Sequence, residues 1–283
     1  MQNQMLSFGH GYSAQALARM LIPLGWQVTG TTRTPDKAER MRSAGVTPLL
    51  WDKTDEIAAA LGASTHVLVS AGPDAQGDPV LRDFGCALNA RAGQFKWVGY
   101  LSTTGVYGDH QGQWIDENAL LAPATKRGIA RIAAERQWQE ISELKLHIFR
   151  LAGIYGPGRG PFSKVKNGTA RRIIKKNQVF SRIHVDDIAQ VLHASINRPR
   201  SGAVYNVCDD YPAPPQDVIA HAAELLGMPL PPVVKFEEAE MTPMARSFYA
   251  ESKKVKNDLI KTELGVSLRY RDYRQGLAAL LKL

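Results

Sequence analysis

The chain has 283 residues, 44% of them hydrophobic and 22% charged, with a formal net charge of +8, which is ordinary composition for a soluble domain with a sizeable core, or one domain with a smaller lobe. No apolar run approaches the ~20 residues that a membrane span needs, and Met1 to Gln4 carries no signal-peptide pattern. Cys86 and Cys208 lie far apart and outside any metal-ligand spacing, so no metal site is expected, and a reducing cytoplasm is the expected compartment.

Short apolar runs alternate with helical patterns through the first half. Met5–Phe8 reads as a strand, and Tyr12–Leu24 places Ala14, Leu17, Ala18, Leu21 and Ile22 at helical spacing. Gln27–Thr31 is a second strand, Pro35–Ala44 a helix, Thr47–Trp51 a third strand, Ile57–Leu61 a short helix and His66–Ser70 a fourth strand. Asp78–Arg91 is helical, Trp97–Ser102 a fifth strand, Ala124–Ser142 a longer helix and Leu146–Leu151 a sixth strand. Such alternation predicts an α/β fold with a doubly wound parallel sheet. Gly153–Gly160, rich in Gly and Pro, predicts a loop; a strand at Ala203–Val207 and a helix at Pro215–Leu226 follow. Helical pieces near Ser252–Leu264 and Tyr270–Leu281 complete a small C-terminal α+β lobe. The division is therefore a Rossmann-like dinucleotide-binding domain over residues 1–155, with segments near 182–208 returning to the sheet, and a smaller substrate-side lobe over 156–283.

Gly9-His10-Gly11-Tyr12-Ser13-Ala14 is a G-x-G-x-x-A turn between the first strand and the first helix. The first Gly permits the tight turn, the second lets backbone approach a pyrophosphate at the helix N-terminus, and Ala14 allows close helix packing. A purely structural turn is the alternative. The second strand ends Gly30-Thr31-Thr32-Arg33-Thr34 without the acidic residue that would hold ribose hydroxyls in an NAD site. Arg33 offers a planar cation to a 2′-phosphate, so NADP is expected over NAD, unless Arg33 is only a surface residue at a helix start. Asp52 either touches the adenine edge or caps the next helix. The basic residues between Arg159 and Arg182 are either a solvated helix face or a patch for a phosphorylated ligand. Nucleic acid is not expected, because aromatic residues do not interleave with the charges.

Ser102-Thr103-Thr104-Gly105-Val106-Tyr107-Gly108 resembles the S-[ST]-x-x-V-Y-G signature of the extended short-chain dehydrogenase/reductase family, the nucleotide-sugar epimerase and dehydratase type. Phe149–Gly158, Arg182-Ile183-His184-Val185-Asp186-Asp187-Ile188-Ala189 and Gly202–Val207 resemble later family blocks, in the right order. The resemblance implies Thr103 as the catalytic hydroxyl. It implies cofactor contacts from Gly9, His10, Gly11, Tyr12, Ser13, Arg33, Asp52, Ser70, Ala71, Gly72 and Ala152, and substrate contacts from Thr104, Tyr107, Arg182 and His184.

The departure is on the helix after Pro123. Glu135 fits the family's Glu, which puts Arg131 at the Lys position and Arg127 at the Tyr position; no tyrosine occurs between Tyr107 and Tyr155. The family chemistry needs a phenol that trades a proton with the substrate, and arginine stays protonated. Arg131 can still bridge a ribose, and Arg127 can bind an anion. Tyr107 and Tyr155 are candidate replacement proton donors, His184 either contacts substrate or packs between the lobes, and Asp186 and Asp187 are expected to cap a helix. The chain thus resembles the atypical branch of the family. One reading is an NADP-dependent reductase or epimerase acting with an altered proton donor on a small or nucleotide-linked substrate, an anion among the candidates. The other is a non-catalytic NADP(H)-sensing or scaffolding protein. Either would be a monomer or homodimer.

Overall fold

A computed structural model describes residues 3–282. In chain order the elements are β1 Gln4–Phe8, α1 Tyr12–Leu21, β2 Gln27–Thr32, α2 Pro35–Ser43, β3 Thr47–Leu50, α3 Thr54–Ala63, β4 His66–Val69, α4 Pro79–Ala90 and β5 Trp97–Thr103. They continue with β6 Trp114–Ile115, α5 Lys126–Gln139, β7 Leu146–Leu151, β8 Gly153–Tyr155, α6 Phe162–Lys166, β9 Arg172–Ile174, β10 Arg182–His184, α7 Val185–Asn197 and β11 Ala203–Val207. The last are α8 Pro215–Leu225, β12 Val233–Lys235, α9 Pro243–Phe248, β13 Lys254–Val255, α10 Asp258–Thr262 and α11 Tyr273–Leu280.

Seven strands form one sheet in the order β11-β7-β5-β4-β1-β2-β3, and every neighbouring pair is parallel. Strand order reverses at β1, which lies between β2 and β4. Ligands in open α/β sheets sit at such a reversal, beyond the carboxyl ends of the strands. The alternation along β5 shows how the two faces are filled. Trp97 and Leu101 join Leu17 and Leu21 of α1 and Ile188 and Leu192 of α7 on one face. Val98 and Tyr100 join Phe84 and Leu88 of α4 and Trp138 of α5 on the other. Burying each such side chain is worth about 2 kcal/mol. Gly99 is required there, since a Cβ would lie 2.1 Å from the Trp97 ring. The ring's Nε1 donates to Ser195 Oγ at 3.0 Å.

Val165, Ala213, Val218, Ala222, Tyr273 and Leu277 form a separate cluster under α6, α8 and α11. The segment around α10 leaves that lobe: Ile260, Leu264, Val266 and Leu268 pack into the core of the sheet domain. Three expectations are corrected here. Gly153–Tyr155 is not loop but strand β8, paired in parallel with β10. Lys254–Val255 is a strand paired with β6 rather than the start of a helix, and the helix begins only at Asp258. The basic stretch after Arg159 is helical only over Phe162–Lys166, so it is not one solvated helix face. Arg172 is held by the Pro231 carbonyl, to which Nε donates at 2.8 Å.

Candidate functional site

The turn after β1 is fixed by its backbone. Gly9 adopts φ +71°, and a Cβ there would sit 2.8 Å from the Ala71 amide nitrogen. Its N–H donates to Thr31 Oγ1 at 2.8 Å, its carbonyl accepts from Ser70 Oγ at 2.9 Å, and the His10 N–H donates to the Thr31 carbonyl at 3.0 Å. The turn is thus pinned to β2 and β4. Helix α1 then starts at Gly11 with no side-chain cap and no acid in its first turn. Its positive end is left open for an anion, and Gly11 lets that anion approach the backbone. This cradle fits the pyrophosphate of a dinucleotide. His10 is corrected in one respect: its ring is buried and its amide is engaged, so it shapes the turn and does not itself donate to a ligand. Ser70 and Ala71 brace the same turn.

Beyond β2 the rim is cationic. Arg33 is exposed, and Lys37, on the first turn of α2, is half-buried. Burial, and then the nearby Arg40, lower the Lys37 pKa. Burial, with Lys37 adding to it, pushes His10 down to about 4, so that ring is neutral at physiological pH. Lys37 escapes the sequence reading because its importance depends on this neighbour, although it lies one helical turn after Arg33. Asp52 is exposed on the turn after β3; α3 starts from Lys53, so Asp52 does not cap it.

At the end of β5, half-buried Thr103 accepts the Gly105 N–H on Oγ1 at 3.1 Å, and Thr104 opens the short 3-10 turn Thr104–Tyr107. Gly128 lets the first turn of α5 press on that turn: a Cβ there would meet the Gly105 carbonyl oxygen at 2.8 Å. Arg131 donates from Nη1 to the Leu101 carbonyl at 2.9 Å and to the Tyr100 hydroxyl at 3.1 Å. Gly72, in the loop after β4, leaves room for this guanidinium, since a Cβ would stand 3.0 Å from Nη2. Arg131 therefore lies between β5 and the loop after β4. Arg127 is exposed; its guanidinium lies 4.9 Å over the Phe248 ring, and Nη2 makes one long contact, 3.4 Å, to Ser247 Oγ.

Beneath this rim lies a buried polar network. Arg150 Nη2 and Glu135 Oε2 form an ion pair at 2.9 Å, with both side chains under a tenth exposed. Ser102 Oγ also donates to Glu135. Arg150 Nη1 donates to the Tyr107 hydroxyl at 3.0 Å, and that hydroxyl donates to Asn206 Oδ1 at 2.7 Å. The network ties α5 to β5, β7 and β11. It also corrects two expectations. Tyr107 is fully buried, and burial pushes its pKa up to about 12, so it is neither proton donor nor substrate contact. Ala152 is buried too, with its N–H on the Val207 carbonyl, so it offers a ligand no donor.

The remaining motif residues hold the lobe to the sheet. His184 is 1% exposed. Its Nδ1 accepts the Asp186 N–H at 3.2 Å, capping α7, and its ring packs between Tyr155 and Tyr270. It is not a substrate contact, and it takes the capping role expected of Asp186 and Asp187. The Asp187 carboxylate instead accepts the N–H groups of Arg269 and Tyr270. Tyr155 is buried, its hydroxyl facing the Asp272 carbonyl at 3.4 Å, and burial raises its pKa strongly, so it is no acid catalyst. Arg182 Nη1 donates to the Phe180 and Ala213 carbonyls, which makes it a latch between strands rather than a free cation. Tyr12 donates to the Pro157 carbonyl at 2.9 Å, and Arg159 stands 5.8 Å over its ring, so the loop after β8 is strapped to the start of α1.

Among the described residues no cluster of three or more metal-ligating side chains occurs, and no helix is long and apolar enough to cross a membrane. The profile of the NAD dependent epimerase/dehydratase family matches residues 86–208. A functionally unknown conserved protein from Silicibacter pomeroyi has a solved structure that is 60% identical, with 99% of each chain covered and a TM-score of 0.96. Protein YeeZ of Escherichia coli is 29% identical over 235 residues, 79% of this chain and 84% of that protein. The human epimerase family protein SDR39U1, solved with NADPH, is 17% identical with a TM-score of 0.80 over 99% of both chains, a likeness of fold. The seven-stranded parallel sheet, the open turn at Gly9–Gly11 and these matches agree: the chain has a Rossmann-like α/β fold shared with NAD(P)-binding epimerases, and its residues 86–208 match the NAD dependent epimerase/dehydratase family.

Proposed function

We propose that the protein binds NADP(H) along the carboxyl edge of its sheet and is a reductase- or epimerase-type catalyst whose proton does not come from a tyrosine. The observation that carries the cofactor reading is the rim beyond β2. Arg33, Lys37 and Arg40 stand there without an ion-paired carboxylate among the described residues, next to a turn whose helix end is open. Arg33 and Lys37 hold a 2′-phosphate, and the first-turn amides of α1 hold the pyrophosphate. Arg131, already fixed by Leu101 and Tyr100, presents its remaining N–H groups to ribose hydroxyls. A nicotinamide dinucleotide supplies or accepts a hydride at this edge. Thr103 uses a lone pair for the Gly105 amide, which leaves its O–H free to donate to a substrate oxygen. Arg127 stabilises negative charge but gives up no proton, so the proton is exchanged with water.

The test is a titration of NADPH fluorescence against the protein and against the Arg33→Ala/Lys37→Ala double variant, with NADH alongside, followed by a panel of carbonyl compounds. NADPH is expected to bind at least tenfold tighter than NADH, with the preference lost in the double variant. Equal binding of the two would overturn the NADP assignment. Tight NADPH binding with no oxidation by any carbonyl would turn the reading to a cofactor-sensing protein.

A further inference from the structure

We infer that Arg127, with the aromatic wall of α9, forms a binding subsite for an oxyanion, a carboxylate or phosphate, on a small substrate with a flat apolar body. The inference rests on the proposed placement of the reacting edge at Thr103, and it names the substrate class that this edge takes.

Four features of the rim converge on it. First, Arg127 and Arg131 stand one helical turn apart on α5 and therefore share a face. Gly128, next to Arg127 in the chain, sets the first turn of α5 against the turn that follows Thr103, since a Cβ there would stand 2.8 Å from the Gly105 carbonyl oxygen. Second, the two guanidiniums are used differently. Arg131 is fixed by a carbonyl and a phenol. Arg127 has no carboxylate partner among the described residues, and its hydrogen bonding is limited to the 3.4 Å contact with Ser247. A guanidinium carries five N–H donors in a planar fork that matches a carboxylate or phosphate. Most of that capacity at Arg127 is free.

Third, the Phe248 ring 4.9 Å from the Arg127 carbon orients the cation from one side. A cation held over a ring face keeps its N–H donors for an oxyanion, because the ring offers them no acceptor oxygen. Fourth, the short helix α9 leaves two large apolar side chains in water, Met244 at 62% and Phe248 at 54% exposed. Thr242 caps that helix through the Ala245 N–H at 3.2 Å, and Arg246 ties it down by donating to the Ala239 carbonyl at 2.7 Å. The apolar pair is therefore displayed on an anchored element beside the unpaired cation. A flat apolar acid satisfies both, its anion on Arg127 and its body against Phe248. A neutral sugar satisfies neither.

The probes are benzoate and phenyl phosphate, with benzamide as the uncharged control, measured by calorimetry on the full-length protein with and without NADPH. Both anions are expected to bind, benzamide at least tenfold more weakly. Arg127→Ala is expected to weaken the anions by roughly 10- to 100-fold, the range for hydrogen bonds to charged groups. Arg127→Lys should recover part of that loss, Phe248→Ala should weaken both anions, and Lys126→Ala, an exposed lysine beside it, should leave them unchanged. The order of benzoate and phenyl phosphate assigns the site to carboxylates or phosphates. Binding of benzamide as tight as benzoate, no binding of either anion, or undiminished anion binding in Arg127→Ala would each overturn the inference. NADPH affinity, measured separately on the same variants, keeps it distinct from the cofactor reading: Arg127→Ala leaves NADPH binding intact, whereas failure of NADPH to bind the unaltered protein sinks only the function proposed above.

Discussion

The two halves of the rim, the turn after β1 and the first turns of α5, are held in opposite ways. The β1 turn is fixed by backbone: Gly9 at a positive φ, no room for a Cβ, and hydrogen bonds that bind it to Thr31 and Ser70. No side chain there has to be a particular acid or base. The α5 rim is fixed by side chains, through Glu135, Arg150, Tyr107 and Asn206 underneath, with Arg131 tied to Leu101 and Tyr100 and Arg127 left exposed. A scaffold of this kind tolerates exchange at Arg127, because the network that holds α5 does not pass through it. The fold and the open turn at Gly9–Gly11 therefore do not depend on which residue stands at position 127.

This contrast can be broken experimentally. The largest effect is expected at Glu135→Ala, which leaves the Arg150 guanidinium buried without its partner. A loss of about 3–5 kcal/mol in urea unfolding is predicted, against a small change for Arg127→Ala. Next is Gly9→Ala, which forces an L residue into the left-handed region against the Ala71 backbone. About 2–3 kcal/mol of stability should be lost, and NADPH should no longer raise the melting temperature. Third, Arg33→Ala is predicted to weaken NADPH about tenfold or more with NADH unchanged, read by fluorescence titration. Fourth, the NADPH preference should fade as pH rises. The Lys37 pKa is lowered by burial and by Arg40, so its charge is present at low pH and is lost below the usual lysine range. Lys37→Arg should keep the preference and remove this pH dependence. The smallest effect is expected at exposed Asp52, where replacement by Ala should change stability by no more than ~0.5 kcal/mol.

What the sequence showed and what it hid follow from the range of the interactions. Apolar runs and period-3.6 patterns marked β1, β5, β7, α1 and α4 to within a few positions, and local chemistry marked the Gly9–Gly11 turn. Strands β8 and β10 are three residues each, too short for a period, and they exist through pairing with each other. Tyr107 was misread because its hydroxyl is used by Asn206, 99 residues away. Asp187 was misread because its carboxylate serves the amides of residues 269 and 270. Its position at the start of α7 carries no trace of that partner. Lys37 went unnoticed because burial beside His10, rather than any motif, gives it a role.

The measurement that bears most directly on the central claim is thermal unfolding at 1 mM NADPH and, separately, 1 mM NADH. A dissociation constant near 10 µM stabilises the folded state by about 2.7 kcal/mol at that concentration, or roughly 5 °C for a chain of this length. The account predicts such a shift with NADPH, little with NADH, and none with either for Gly9→Ala. Equal shifts for the two cofactors, or no shift in the unaltered protein, would contradict it.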